Sequence, residues 1–531
     1  IPELLDVLWS HDQIRLRIET WMESKALTQV ADGVSDEFEA AKAQFFMYSN
    51  QVTPEFVTTW PFDEEMKKAR HNMPKWNRIL EAATERKTAE DKNRHRGTHL
   101  GRNIVTAQVL HLRSQTCSKL QTILGLFASA NGASRQMIDF LNHASLSVSY
   151  TTLQNINVAL ADRSVYQAAI LSFRGHSMAY DNYNAKSSIF IEQFFNGMSK
   201  VQSGTFTLIY PLRFVEDPNH LLLAPILKRF KTSTDVTLAD IRSRVDQMAS
   251  YRHQTQVTLL NILMKYVEGF SYLKDNSAIR YKARRQLTST PKTEFYPLRM
   301  ATIKEATIEG NLHLTLSRAR SCQLERLGDM TPWSRRDPFQ TYVGKFHMDM
   351  NYKWGIRHKH YSAAKQLRSL SYYFVLLEKK RLAGEKPDFH TLSAAYDQIL
   401  DGLVLNAWRV KCGSLEEFTK SKPSARELLQ WAADVFDEFG TPMEPTIIED
   451  NDSTPNNSDD DPAHQNVRLL VRDLLYAREL SLAISIRDVG RIEDILADLA
   501  AIFRGCGSNK YAMEIVHLLF NLKQVWPTEF A

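Results

Sequence analysis

The chain has 531 residues, 43% apolar and 24% charged, which excludes a low-complexity or unfolded composition and is long enough for two to four domains. Its net charge is +5, yet Glu444, Glu449, Asp450, Asp452, Asp459, Asp460 and Asp461 fall in a stretch without Lys or Arg, and setting those seven aside leaves the rest near +12. A basic body with an acidic tether suits DNA or another anionic partner, and an ordinary solvated surface beside a linker gives the same balance.

Over 1–172 the apolar residues recur at three- and four-residue spacing, as in Leu4, Leu5 and Leu8, then Ile14, Ile18, Trp21 and Met22, which predicts helices with short breaks. Asp36 with Glu39 three residues later reads as a capping box opening a new helix. Asn103 to Ala130 reads as one helix ended by Asn131-Gly132. Ser134 starts a short helix, and another spans about 151–171. Between Arg86 and Arg102 lies a basic stretch that includes Arg94 and Arg96. It can neutralise phosphates, or it can be an exposed loop between helices.

Residues 173–216 are the predicted sheet. Met178-Ala179-Tyr180 leads into Asp181, and Thr205 to Val215 is rich in strand-forming residues. Pairing of 176–181 with 204–210 puts Asp181 at the end of the first strand. Pro211 confines the second run to short strands or an edge. Asp181-Asn182 is equally a turn dipeptide.

Helices resume near 235, and Val257 to Phe270 reads as a buried helix. A second basic patch follows at Arg280, Lys282, Arg284 and Arg285, with Tyr281 interleaved. Pro291 and Pro297 mark an irregular connection. Residues 338–440 read as helical, with Tyr352, Trp354, Tyr361, Tyr372, Tyr373 and Phe374 as core and not as a base-stacking platform. Residues 444–466 hold little to bury and read as a disordered linker or long loop. A last helical unit runs from Asn466 to about Val525.

The fold class is therefore mostly α (α+β), with one small central sheet. The domain reading is a helical region over 1–172, a central region over 173–440 that holds the sheet, an acidic linker over 441–466, and a helical unit over 467–531 packing on the central region. Four dispersed cysteines with no CxxC pair exclude a disulfide framework and a zinc ribbon, and fit an intracellular location, nuclear or cytoplasmic. No run reaches the roughly 20 apolar residues of a membrane span, and no signal peptide is visible. The start at Ile1 instead of Met reads as a fragment.

His347 and Asp349, with His358 and His360, form the best metal-like cluster. The i, i+2 spacing within each pair sends side chains to different faces of a helix, and His347 is kept as the metal candidate. No phosphate-binding loop, dinucleotide fingerprint or nucleophile elbow occurs, which disfavours nucleotide hydrolysis and acyl transfer.

Four segments together carry a resemblance. They are YDNYN at 180–184; KEATIEGN at 304–311; LTLSRARS at 314–321 with TPW at 331–333 and KFHMDM at 345–350; and IRDVGRIEDIL at 486–496 with FRGCGSNKYAMEI at 503–515 and VWPTEF at 525–530. Their order resembles an uncharacterised family of mushroom-forming fungi, domain-of-unknown-function family 6589, over most of the chain from about residue 100. The resemblance implies a transposon association and a degenerate RNase H-like core. It implies Asp181 as the first of the carboxylates that would converge on Mg²⁺. Similar proteins carry Gly-Asp-Gln before the Leu-Thr of the third segment, where this chain has Asn311-Leu312-His313. That departure puts catalytic competence in doubt, since nothing in their spacing selects Glu305, Glu309 or Asp329 as a replacement. Two readings stay open: a transposase-derived protein associated non-specifically with DNA, and a non-catalytic helical scaffold for protein partners.

Overall fold

The structure is a computed structural model that describes residues 2–84, 98–187, 200–213, 215, 217–287, 292–300, 328, 330–331, 340, 342–362, 368–442 and 462–531. It divides into two compact units. One is Ile1–Arg213 with Thr293–Leu314, and the other is Phe214–Lys292 with Thr315–Ala531. The architecture is multi-helical with a single small antiparallel sheet.

The first unit begins with α1 (Pro2–Trp9) and α2 (Asp12–Ala41), followed by α3 (Pro54–Thr59), α4 (Phe62–His71) and α5 (Pro74–Thr84). The expected helix start at Asp36 does not exist. Asp36 and Glu39 lie inside α2, where Glu39 pairs with Lys42 and, at 3.3 Å, with Arg113. A neighbouring residue does act as a cap: Glu37 reaches from α2 to the start of α5, its two oxygens accepting the Lys75 and Trp76 amides at 3.0 Å each. A carboxylate there satisfies orphan amides and complements the helix dipole. Glu37→Gln keeps the size and removes the charge, and should lower stability by about 1 kcal/mol in urea unfolding. An unchanged midpoint would remove the capping role.

The run expected as one helix over 103–130 is two, α6 (Thr98–Arg113) and α7 (Lys119–Ala130). The break falls on a polar run that bonds locally. Ser114 and Thr116 hydroxyls meet at 2.7 Å, and the Cys117 amide donates to the Ser114 carbonyl at 2.9 Å. Cys117 also bridges to Phe46 as an isolated β-pair. Such local bonds compete with helix continuation. Helices α8 (Arg135–His143) and α9 (Tyr150–Leu171) start as read, capped by the hydroxyls of Ser134 and Ser149. Phe38, Met66, Met73, Leu110 and Leu120 form one core cluster of this unit, and Val52, Ile138, Leu153 and Ile156 another.

The sheet has the order β1-β2-β3, with β1 at His176–Ser187, β2 at Lys200–Pro211 and β3 at Tyr296–Pro297. The hairpin is longer than read, its register running from His176 opposite Pro211 to Ser187 opposite Lys200. Pro211 ends β2, where its missing N–H interrupts no interior ladder. Ala168 and Leu171 of α9 cover the sheet at Ile209, and Ser164 donates to the Pro297 carbonyl at 2.7 Å.

The second unit contains α10 (Leu223–Thr232), which the sequence reading missed, and α11 (Val245–Tyr266). It continues with α12 (Lys345–His360), α13 (Leu370–Leu376), α14 (Phe389–Cys412), α15 (Leu415–Lys420), α16 (Ala425–Phe439), α17 (Pro462–Ser485), α18 (Val489–Gly505) and α19 (Asn509–Phe520). Residues of α11, α12, α14 and α16 to α19 share one hydrophobic core. Tyr352, Phe374 and Trp408 are buried in it, and Trp354, Tyr361 and Tyr373 pack against it, so these aromatics serve packing. Of the acidic segment, residues 443–461 lie outside the described residues, and Pro462 already begins α17. Among the described residues no helix is long and apolar enough to cross a membrane.

Candidate functional site

Asp181 is the sixth residue of β1, not its end, and pairs in register with Phe206. The ladder continues through Asn182 opposite Thr205, so strand pairing overrides the turn preference of Asp-Asn. The Asp181 side chain is exposed, opposite a Phe206 that is 37% exposed on the same face. It fits Mg²⁺ as one oxygen donor, since this ion is commonly held by one or two carboxylates plus phosphate oxygens. Arg94, Arg96, Glu305, Glu309, Asp329 and the 311–313 stretch lie outside the described residues. Among the described residues no group of three or more His, Cys, Asp or Glu could hold a metal ion.

The second basic patch lies in the other unit, on the connection after α11. Gln254 of α11 grips its backbone, donating to the Lys282 carbonyl at 2.7 Å and accepting the Lys282 amide at 3.2 Å. Arg284 forks onto Asp494 at 2.9 and 3.3 Å and reaches Asp246 at 2.9 Å. Arg285 holds Glu493 at 2.7 Å. The amides of Arg284 and Arg285 both donate to the fully buried Asp488 at 2.9 Å, and Asp488 also caps α18 through the Arg491 amide. Two of the four cations of this patch, Arg284 and Arg285, thus pair with carboxylates within the protein, and all four are exposed.

The histidine cluster separates as its spacing implies. His347 is half-buried in the first turn of α12, beside the Phe346 ring. Asp349 is buried, with Lys353 at 2.9 Å and Ser481 at 3.1 Å. Burial pushes its carboxyl up, and Lys353 and Ser481 oppose that. His360 faces elsewhere, 2.8 Å from Asp473. Asp473 is fully buried, yet Arg472 donates to it at 2.6 and 2.8 Å and Lys359 lies 3.5 Å away. Burial acts to raise the Asp473 carboxyl; His360, Arg472 and Lys359 outweigh it and hold the group below its ordinary value.

The sequence reading did not find this buried lattice of charge. Its members come from α12, from α17 and from the IRDVGRIEDIL segment. Lys353 against Asp349 at i, i+4 is the one pair visible in sequence. Each carboxylate in it faces a cation or amide donors, an arrangement that fixes how α12, α17 and α18 meet.

A protein-family model described as a family of unknown function (DUF6589) matches residues 230–314 and 313–531, more than half of the chain. The match takes in every quoted segment except YDNYN, so the β1–β2 hairpin that carries Asp181 lies N-terminal to it. No curated protein and no solved structure matches the chain.

Proposed function

The chain belongs to this family of unknown function, and from that premise we propose that it is a transposase-derived protein that associates with DNA inside the cell and binds more than it cuts. The observation that supports DNA contact lies in the first unit. Arg102 donates through Nε to the Thr84 hydroxyl at 2.7 Å, tying the start of α6 to the end of α5. Between those ends the sequence carries Arg86, Lys87, Lys92, Arg94 and Arg96. Five cations against Glu85, Glu90 and Asp91 leave this stretch net positive, a composition suited to neutralising phosphates. Asp181 would be the remnant of a Mg²⁺-dependent site, and Asn311-Leu312-His313 replaces its expected second carboxylate.

The scaffold reading draws support from Arg284 and Arg285, which pair with Asp494, Asp246 and Glu493 within the protein. A gel-shift titration of the full chain on unrelated duplex sequences separates the two. The expected result is sequence-independent binding that weakens steeply between about 50 and 200 mM salt. Binding that ignores salt rejects the electrostatic account, and no binding at low salt leaves the scaffold. Strand cleavage with Mg²⁺ should be absent or faint, and lost in Asp181→Ala.

A further inference from the structure

Arginine is seldom buried without a counter-charge. Arg70, near the C-terminal end of α4, is only 9% exposed, and its Nε has no hydrogen-bond partner. Its one recorded side-chain contact is a weak one, Nη1 to the Asn77 oxygen at 3.5 Å. No described carboxylate stands within ion-pair distance of it. Nor does Arg70 serve to cap its own helix, because the closing carbonyls of α4 take the Asn72 and Met73 amides.

Arg70 lines an open concavity of about 850 Å³ between α4 and α5, together with Lys67, Lys68 and His71. Lys67 and Lys68 are exposed and, like Arg70, have no acidic partner among the described residues. Two carboxylates, Glu64 and Glu81, share the wall, and Glu81 is drawn off by the Asn77 amide at 2.9 Å. The three fixed cations outnumber them. The Nε is enclosed, but a largely buried guanidinium without a counter-charge is costly, and its Nη groups can donate to a planar or tetrahedral oxyanion in the concavity. Lys67 and Lys68 add point charges at the rim.

We propose that this concavity binds a phosphate group, with Arg70 as the directional contact and Lys67 and Lys68 as electrostatic support. The source is either free phosphate or a nucleic-acid backbone, which share this chemistry. The site is built from α4, α5 and Gln44 and does not include the basic connection at 86–96, so it stands or falls apart from the DNA reading.

Calorimetric titration of the full chain with inorganic phosphate, and separately with a short single-stranded oligonucleotide, tests it. Lys67→Ala with Lys68→Ala, both exposed positions, should weaken binding roughly tenfold, and Arg70→Met should abolish it. Phosphate binding with that dependence identifies free phosphate as sufficient. Oligonucleotide binding alone, with the same dependence, identifies the backbone as the source. If Arg70→Met does not fold, the Lys67 and Lys68 variant decides. Binding of neither probe, or binding indifferent to these substitutions, overturns the proposal, even where DNA is still retained through other residues.

Discussion

Glu479→Ala should destabilise the second unit by roughly 3–5 kcal/mol, the cost of leaving one partner of a buried ion pair uncompensated. Glu479 on α17 and Arg491 on α18 are 3% and 1% exposed. They meet side by side, Nε to Oε1 at 2.7 Å and Nη2 to Oε2 at 2.6 Å. Each oxygen accepts from the guanidinium, which is the geometry of a carboxylate. Arg491 is further held over the Tyr281 ring at 4.8 Å, so the pair also anchors the connection that carries Arg284 and Arg285. Deleting the glutamate strands a guanidinium whose Nη1 already lacks a partner. Replacing both, as Glu479→Leu with Arg491→Met, should recover most of the loss, because no charge is then left buried. Urea midpoints of the two single variants and the double variant measure this. A shift below about 1 kcal/mol for Glu479→Ala would show that the pair is not shielded from water.

The same pair sets a direction for pH. Burial pushes the Glu479 carboxyl up, Arg491 pulls it back, and the Asp488 and Asp494 carboxylates add to the upward push. With the folded value above the unfolded one, the native state binds the proton more tightly between the two. The contribution of this group is therefore full below the unfolded value and lost as pH rises through the folded value. Asp473 has the opposite sign. Its stabilisation is present above the unfolded value and lost as pH falls through the lowered folded one.

Much of the helical framework was legible because apolar spacing and local caps are short-range signals. Ser134 caps the helix that its position implied, and the helix read from about 151 starts at Tyr150 with Ser149 as its cap. The β1–β2 hairpin was legible for the same reason, since Thr205 to Tyr210 is built from strand formers. Its length was not, because whether a strand continues past Asp181-Asn182 depends on the partner opposite. Helix α10 was hidden by Pro225, which is tolerated in a first turn where it displaces no intrahelical bond. The charged lattice was the least legible part. Arg284 meets Asp494 at a separation of 210 residues, and nothing in either local pattern distinguishes it from a solvated arginine. Phosphate contact at Arg284 and Arg285 was read from composition, and their carboxylate partners could be found only in the tertiary structure. Arg70 is the converse case: one basic residue among several in α4, singled out only by burial without a counter-charge.

Gly490→Val should be a damaging change within the IRDVGRIEDIL segment although it alters no charge. The expected cost is about 1–3 kcal/mol, from forced displacement in a packed interior. A Cβ at Gly490 would lie 2.7 Å from the Arg284 Cβ, 2.9 Å from the Arg285 amide nitrogen and 3.0 Å from the Arg285 Cβ. None of these is the free end of a flexible side chain, so the obstruction cannot swing aside. The glycine is required by close approach of a second backbone, not by its own backbone angles. That approach lets Asp488 take the Arg284 and Arg285 amides while Asp494 and Glu493 take their side chains. Pushing the connection outward breaks all of these together. Gly490→Ala should show the smaller loss of the two, since its single carbon meets the same atoms without branching. The decisive measurement is hydrogen exchange at the Arg284 and Arg285 amides. They should be well protected in the native protein and should exchange faster in both variants. A variant with unchanged protection and an unchanged urea midpoint would mean that the connection does not rest on α18, and the clamp would have to be abandoned.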